Sequence, residues 1–183
     1  MSRYSDMLKS IINSCRSRIE EIDADIEMIK ANRSYSREYI DTRISDYNAQ
    51  KKNAYNNHNK LLSEAHSDYL ERLQKSIENI SGNNVNTADL ALLDNKYIKI
   101  SQKEFDILAN RHKGNAIMLN ALSNYAAENG LSMPVPYLNY EQKKKLAYDY
   151  CCQCAGYLTC SGLQWALIES SNYFNEISEQ LSE

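Results

Sequence analysis

Four cysteines near the end of the chain have the composition closest to a chemical site: Cys151, Cys152, Cys154 and Cys160. Cys151 and Cys154 have C-x-x-C spacing, and four thiolates could close a tetrahedral zinc site. Structural zinc cysteines usually come as two pairs with roughly a dozen or more residues between the pairs, whereas these four fall within ten positions of one another. We therefore expect them to pack as small apolar side chains, and a zinc site is the alternative.

The other residue types that often do chemistry are scattered. His58 and His66 are eight positions apart, which is about two turns of a helix and too far for both rings to chelate one ion. The adjacent carboxylates Glu20 and Glu21 fall on a polar helix face, where charges are ordinarily solvated. The chain has no Gly-rich phosphate loop, no serine nucleophile elbow and no His-Glu-x-x-His helix. We therefore predict a protein that is not an enzyme, with no catalytic residues and no cofactor or metal.

The strongest structural pattern is a heptad of mostly isoleucines near the start of the chain. Its members alternate in steps of four and three: Leu8, Ile12, Cys15, Ile19, Ile22, Ile26 and Ile29. This spacing is typical of a coiled-coil seam, which must bury itself against another helix of the same chain or of another subunit. Charges of both signs interleave beside it, so two copies could meet without net repulsion. We interpret these residues as a self-association seam and predict a homo-oligomer, most simply a dimer.

The seam continues toward residue 80 with two weak stretches. Polar residues occupy core positions at 32–36, and 53–60 contains four asparagines, which form helices poorly. Residues 6–80 therefore form either one helix of about 110 Å, at roughly 1.5 Å per residue, or a hairpin that folds back near one of these stretches. The sequence slightly favours a hairpin or a kinked pair.

A loop signal at 81–84 separates this region from the rest of the chain. Thr87 is predicted to cap a short helix, Ser101 and Glu104 form a capping box, and Asn115 and Gly130 bound the next helix. Residues 97–100 alternate like a strand but are too short to found a sheet. A helix over 141–155 and a last heptad follow, the heptad formed by Leu163, Leu167, Ser170, Phe174, Ile177 and Leu181. The predicted fold is all-α, with a coiled-coil helix or hairpin over 1–81 and a compact helical domain over 87–183.

Composition argues against several partners. The candidate recognition helix over 116–128 has neither Lys nor Arg, and the only tight basic cluster is 143–145, so nucleic acid is not an expected partner. The cations at 111–113 are typical of a last helical turn. No apolar run approaches the roughly 18 residues of a membrane span, and the odd number of cysteines does not resemble a secreted disulfide framework. We expect a soluble, intracellular protein with no membrane partner.

The segment 99–131 reads Lys-Ile-Ser-Gln-Lys-Glu-Phe-Asp-Ile-Leu-Ala-Asn-Arg-His-Lys-Gly-Asn and later Leu-Ser-Asn-Tyr-Ala-Ala-Glu-Asn-Gly-Leu. This pattern resembles a recurrent segment in small proteins of tailed bacteriophages. The resemblance implies a helical structural or accessory protein, often linked with head assembly. The charged first helix is similar to capsid scaffolding proteins, which usually end in a basic tail, whereas this chain ends in Glu176, Glu179 and Glu183.

These observations predict a non-enzymatic helical bacteriophage protein that acts by self-association and protein–protein binding. The expected setting is virion structure or head assembly, in the host cytoplasm or the virion, with another phage or host protein as partner. The alternative is a phage-encoded inhibitor that binds a bacterial enzyme or defence complex.

Overall fold

The computed structural model describes residues 3–80, 85–95, 97–135 and 137–181, and every regular element among them is a helix. The predicted loop at 81–84 and the acidic residue Glu183 lie outside the described residues. The helices are α1 (Arg3–Ala31), α2 (Arg37–Ile80), α3 (Thr87–Asp94), α4 (Gln102–Arg111), α5 (Ala116–Asn129), α6 (Tyr140–Tyr157), α7 (Gly162–Ser170) and α8 (Tyr173–Gln180). The predicted all-α class is confirmed. None of the described helices is long and apolar enough to cross a membrane.

Helices α1 and α2 form an antiparallel hairpin that folds back at 32–36, one of the two predicted positions. Tyr4 near the start of α1 stacks on Tyr69 far along α2, with ring centroids 4.6 Å apart, whereas Asp23 pairs with Lys51 nearer the turn. The asparagine-rich stretch 53–60 is continuous helix. Its asparagine side chains are exposed, and the weak helix propensity of such residues is outweighed by tertiary packing of the intervening positions.

The chain forms two compact units, which differ from the predicted domains 1–81 and 87–183. The first, here called the hairpin unit, consists of Met1–Glu71 and Lys144–Glu183, and the second, the middle unit, is Arg72–Lys143. The difference arises because the C-terminal helices share a core with α1. Helix α8 packs along α1, the Ser5 hydroxyl donates to Ser178, and the Arg16 guanidinium donates to the Cys160 carbonyl at 2.8 Å.

The last predicted heptad spans two helices. Helix α7 ends at Ser170 and α8 begins at Tyr173, because the Ser171 hydroxyl accepts from the Tyr173 amide and donates to the Ile168 carbonyl. Such local hydrogen bonds compete with a continuous helix. The heptad residues of α8 are buried, whereas Leu163 and Leu167 on α7 are exposed.

The middle unit is built from short helices whose terminal backbone groups are hydrogen-bonded by capping residues. Ser101 and Glu104 form the predicted capping box of α4, Asn115 caps α5, and Gly130 ends α5 in the left-handed conformation at φ 67°. The cap of α3 is Asn86, one position before the predicted Thr87. A shared core is formed by Leu93, Phe105, Leu108, Ala109, Leu119, Leu122, Tyr125 and Ala126. Residues 97–100 lie in no helix and pair with no strand of the described chain.

Candidate functional site

The seven predicted seam residues face the interior of the single chain. Five are buried: Leu8, Ile12, Cys15, Ile22 and Ile26. Ile19 and Ile29 are half-buried. The heptad required a partner helix from the same chain or from another subunit, and here the chain's own α2 and α8 lie against α1. Self-association through this seam stays a prediction, and it would require α1 to separate from these helices.

The four late cysteines do not converge on a common point. Burial raises the pKa of the Cys154 thiol to about 12 and also raises that of Cys151, whose sulfur donates to the Leu62 carbonyl at 3.5 Å. Cys160 lies beside Arg16, and Cys152 is exposed. Metal ligation and nucleophilic attack both require the thiolate. Among the described residues no group of three or more His, Cys, Asp or Glu side chains could hold a metal ion.

One histidine–carboxylate pair is present in the middle unit. His112 Nε2 lies 2.7 Å from Asp89 Oδ2, and Arg111 Nη1 lies 3.3 Å from the same oxygen. The hydrogen bond from His112, assisted by Arg111, holds the pKa of Asp89 below its usual range. In the described part of the chain His112 has no hydroxyl or thiol partner, so this pair lacks the nucleophile of a catalytic triad. The His112–Asp89 pair joins the end of α4 to α3. The two residues are more than twenty positions apart in the sequence, so no motif spacing predicted their contact.

The turn of the helical hairpin carries a different kind of cluster. We call residues 30–40 the hairpin tip; every side chain from 30 to 39 is exposed. Tyr35 and Tyr39 are 42% and 45% exposed, and their ring centroids lie 4.8 Å apart. The tip is held in shape by short side-chain bonds, since Asn32 accepts from the Ser34 amide and Ser36 accepts from the Tyr39 amide.

The tip also has a local excess of positive charge. Residues 30–40 contain three basic side chains and one acidic side chain, whereas the whole chain has a formal charge of −3. Lys30 pairs with Glu27 at the end of α1. Among the residues that the structure describes, neither Arg33 nor Arg37 forms an ion pair. Two guanidinium groups and two tyrosine rings are therefore presented together without an intramolecular role in the core.

This combination is suited to binding a protein. Arginine and tyrosine dominate the binding energy of protein interfaces, and a guanidinium binds a carboxylate in a bidentate manner. In the sequence, this stretch is distinguished by the polar residues that interrupt the heptad. The signal that could have found the tip is the alternation of Arg33, Tyr35, Arg37 and Tyr39 at a predicted fold-back position.

No family model matches the chain, and no curated protein or solved structure is significantly similar to it.

Proposed function

We propose that the protein is a helical binding protein without catalytic turnover, and that the hairpin tip engages an acidic surface on another protein. The observation that carries this proposal is the joint exposure of Arg33, Tyr35, Arg37 and Tyr39 at the turn of the hairpin. The two tyrosines contact each other but no core residue is among their ring partners in the described structure, and neither arginine forms an ion pair there. Such exposed side chains contribute little to folding, so we assign them to a contact with another molecule.

An acidic protein surface fits the tip better than a nucleic acid does. Binding to a phosphate backbone normally relies on several cations spread along a surface. Here the guanidinium groups of Arg33 and Arg37, which form no ion pair with any described residue, are accompanied by the carboxylates of Glu38 and Asp41 in the first turns of α2. Tyrosine and arginine, the two residue types that are paired in this small patch, are enriched in protein–protein interfaces.

The proposed setting follows the phage resemblance of the sequence, in which the partner is another protein of virion structure or head assembly. The second candidate is an inhibitor of a bacterial enzyme or defence complex. Burial of the α1 heptad inside one chain favours this candidate, because an inhibitor needs no second copy.

Site-specific crosslinking tests the proposal in the cells that make the protein. A photoreactive benzoylphenylalanine replaces Tyr35 in one variant and the exposed Tyr97 of the middle unit in the control. We expect the variant at position 35 to form a covalent adduct with one acidic protein, which mass spectrometry identifies. An equal yield of that adduct from position 97, or an adduct at 35 with nucleic acid alone, would contradict the proposal.

The identified partner is then purified and titrated with charge variants of the chain. We expect Arg33→Glu with Arg37→Glu to weaken binding by at least about a hundredfold, because hot-spot changes cost on the order of 2 kcal/mol or more each. The matched control is Lys52→Glu with Lys103→Glu, which makes the same charge change at exposed positions. Equal weakening by both pairs would indicate only a general charge effect and would reject the tip as the site.

A further inference from the structure

The middle unit contains a pocket that the proposed function does not use. It lies between α3, α4 and the irregular segment before α4, and its volume is about 300 Å³. It is lined by Asp89, Leu92, Ile98, Lys99, Ile100, Glu104, Ile107, Leu108 and Arg111. The volume of the pocket is at the lower end of the range found for small-molecule sites. At about 30 Å³ for a water-sized group, it holds on the order of ten non-hydrogen atoms.

The aliphatic side chains that line the pocket form a surface that is open to solvent. Ile98 is 43% exposed and Ile107 is 56% exposed, and Leu92 and Ile100 are half-buried beside them. Large aliphatic side chains on two neighbouring elements thus share one concave surface. A hydrocarbon group placed there would remove this surface from water, at a gain of about 25 cal/mol per Å².

The hydrogen-bonding groups of the pocket are unequally used. The Asp89 carboxylate already accepts from His112 and Arg111. The Glu104 carboxylate accepts from the amide and the hydroxyl of Ser101 at 2.9 and 2.6 Å. The two carboxylates that line the pocket are therefore engaged within the chain.

The donors of the pocket keep spare capacity. In the described part of the chain the Lys99 ammonium has no ion pair. Arg111 contacts Asp89 through Nη1 alone, and these contacts are long, at 3.3 and 3.4 Å. A guanidinium has five N–H donors, so most of those of Arg111 remain for another acceptor. The polar group that complements the pocket is thus an anion.

We propose that this pocket binds a small carboxylic acid with an aliphatic body. The carboxylate lies between Lys99 and Arg111, and the hydrocarbon chain lies against Ile98 and Ile107. The inference is independent of the hairpin tip and rests on the middle unit alone. Octanoate, with ten non-hydrogen atoms, is the probe that matches the volume of the pocket.

The test is an NMR titration of the ¹⁵N-labelled full chain with octanoate, and with octylamine as a control of the same chain length and opposite charge. We expect octanoate to shift the amide signals of residues 98–100 and the Arg111 side-chain signal, and octylamine to bind at least tenfold more weakly. Equal binding of both compounds, or shifts confined to other parts of the chain, would overturn the proposal.

Variants locate the two halves of the site. Lys99→Met removes the cation while keeping an unbranched side chain of similar length, and we expect it to weaken octanoate binding at least tenfold. Ile107→Asp places a carboxylate on the apolar wall and should abolish binding. Lys103 is also exposed but lies on α4 and does not line the pocket. Lys103→Met should therefore leave the affinity unchanged. An unchanged affinity in Lys99→Met would reject the carboxylate site.

Discussion

The two units of the chain obtain their structure from contacts of very different sequence separation. In the middle unit, caps between residues three positions apart set the helix ends, such as Ser101 with Glu104 and Asn115 with Met118. In the hairpin unit, Tyr4 donates to the carbonyl of Ala147, which is 143 positions away, and Arg16 reaches Cys160 across 144 positions. The helix ends of the middle unit are therefore specified by local chemistry, whereas the hairpin unit is specified by long-range burial.

In both units, residues that stabilise the fold make contacts that other residues do not make. Asp89 of the middle unit binds two neighbouring side chains, and Tyr4 of the hairpin unit is completely buried. Arg33 and Arg37 serve neither kind of contact in the described structure. Function is best sought at such positions, because neither a helix end nor a core explains them.

The largest expected effect is loss of the long-range core of the hairpin unit. Ile22 is 1% exposed, so Ile22→Asp would bury an unpaired carboxylate and lower the free energy of unfolding by about 4 kcal/mol. The single tryptophan, Trp165, is buried in this unit and reports its unfolding by fluorescence in urea. Met28→Asp, at a position of the same helix that lies outside the heptad and is 63% exposed, should cost less than half as much. Equal costs would mean that α1 does not present its heptad to the core.

A smaller effect is expected from removing a local cap in the middle unit. The Asn115 side chain accepts from the Met118 amide at 3.2 Å, and Asn115→Ala should cost about 1 kcal/mol. Hydrogen exchange of the α5 amides should then be about fivefold faster. Asn120→Ala on the exposed face of α5 is the control and should not accelerate exchange. If both variants behave alike, the cap does not set this helix end.

The caps were readable from the sequence because their partners lie within one helical turn. Ser101, Asn115 and Gly130 each occupy the predicted end of a helix. The sequence left two possible positions for the fold-back, 32–36 and 53–60. The apolar seam is interrupted at the first and the helix propensity is low at the second, and only tertiary packing decides between them. The boundary between the units could not be read, because it depends on the packing of α8 against α1. The hairpin tip was missed for the same reason, since its exposure follows from the position of the fold-back.

The smallest expected effect is a difference in pH dependence between the units. Burial lowers the pKa of His66 in the hairpin unit from 6.5, so the unfolded chain binds the proton more readily. The stability of this unit is then complete above pH 6.5 and falls as pH drops from 6.5 toward the lower native pKa. In the middle unit the pKa of Asp89 is lowered from its ordinary value of 3.8, so the contribution of Asp89 to stability is present above that pH and is lost only as pH falls through the lower native pKa.

Urea unfolding at a series of acidic pH values measures how the free energy of unfolding changes with pH. His66→Gln should flatten the decline seen by Trp165 fluorescence between pH 6.5 and 5, while Asp89→Asn should leave that decline unchanged. A decline that persists in His66→Gln would assign it to another group.

The central claim is that the chain's own helices fill the apolar face of α1, so that binding to other proteins is left to the hairpin tip. Ser5 on α1 and Ser178 on α8 lie with their hydroxyl oxygens 3.1 Å apart, close enough for a disulfide in the variant Ser5→Cys with Ser178→Cys. The decisive measurement mixes ¹⁵N-labelled and unlabelled chains of this variant, oxidises them at tens of micromolar and identifies the crosslinked peptides by mass spectrometry. We expect every crosslink between positions 5 and 178 to join peptides of the same isotope, because α1 packs against α8 of its own chain. Crosslinks between labelled and unlabelled peptides would contradict this expectation and would place α1 against a second copy.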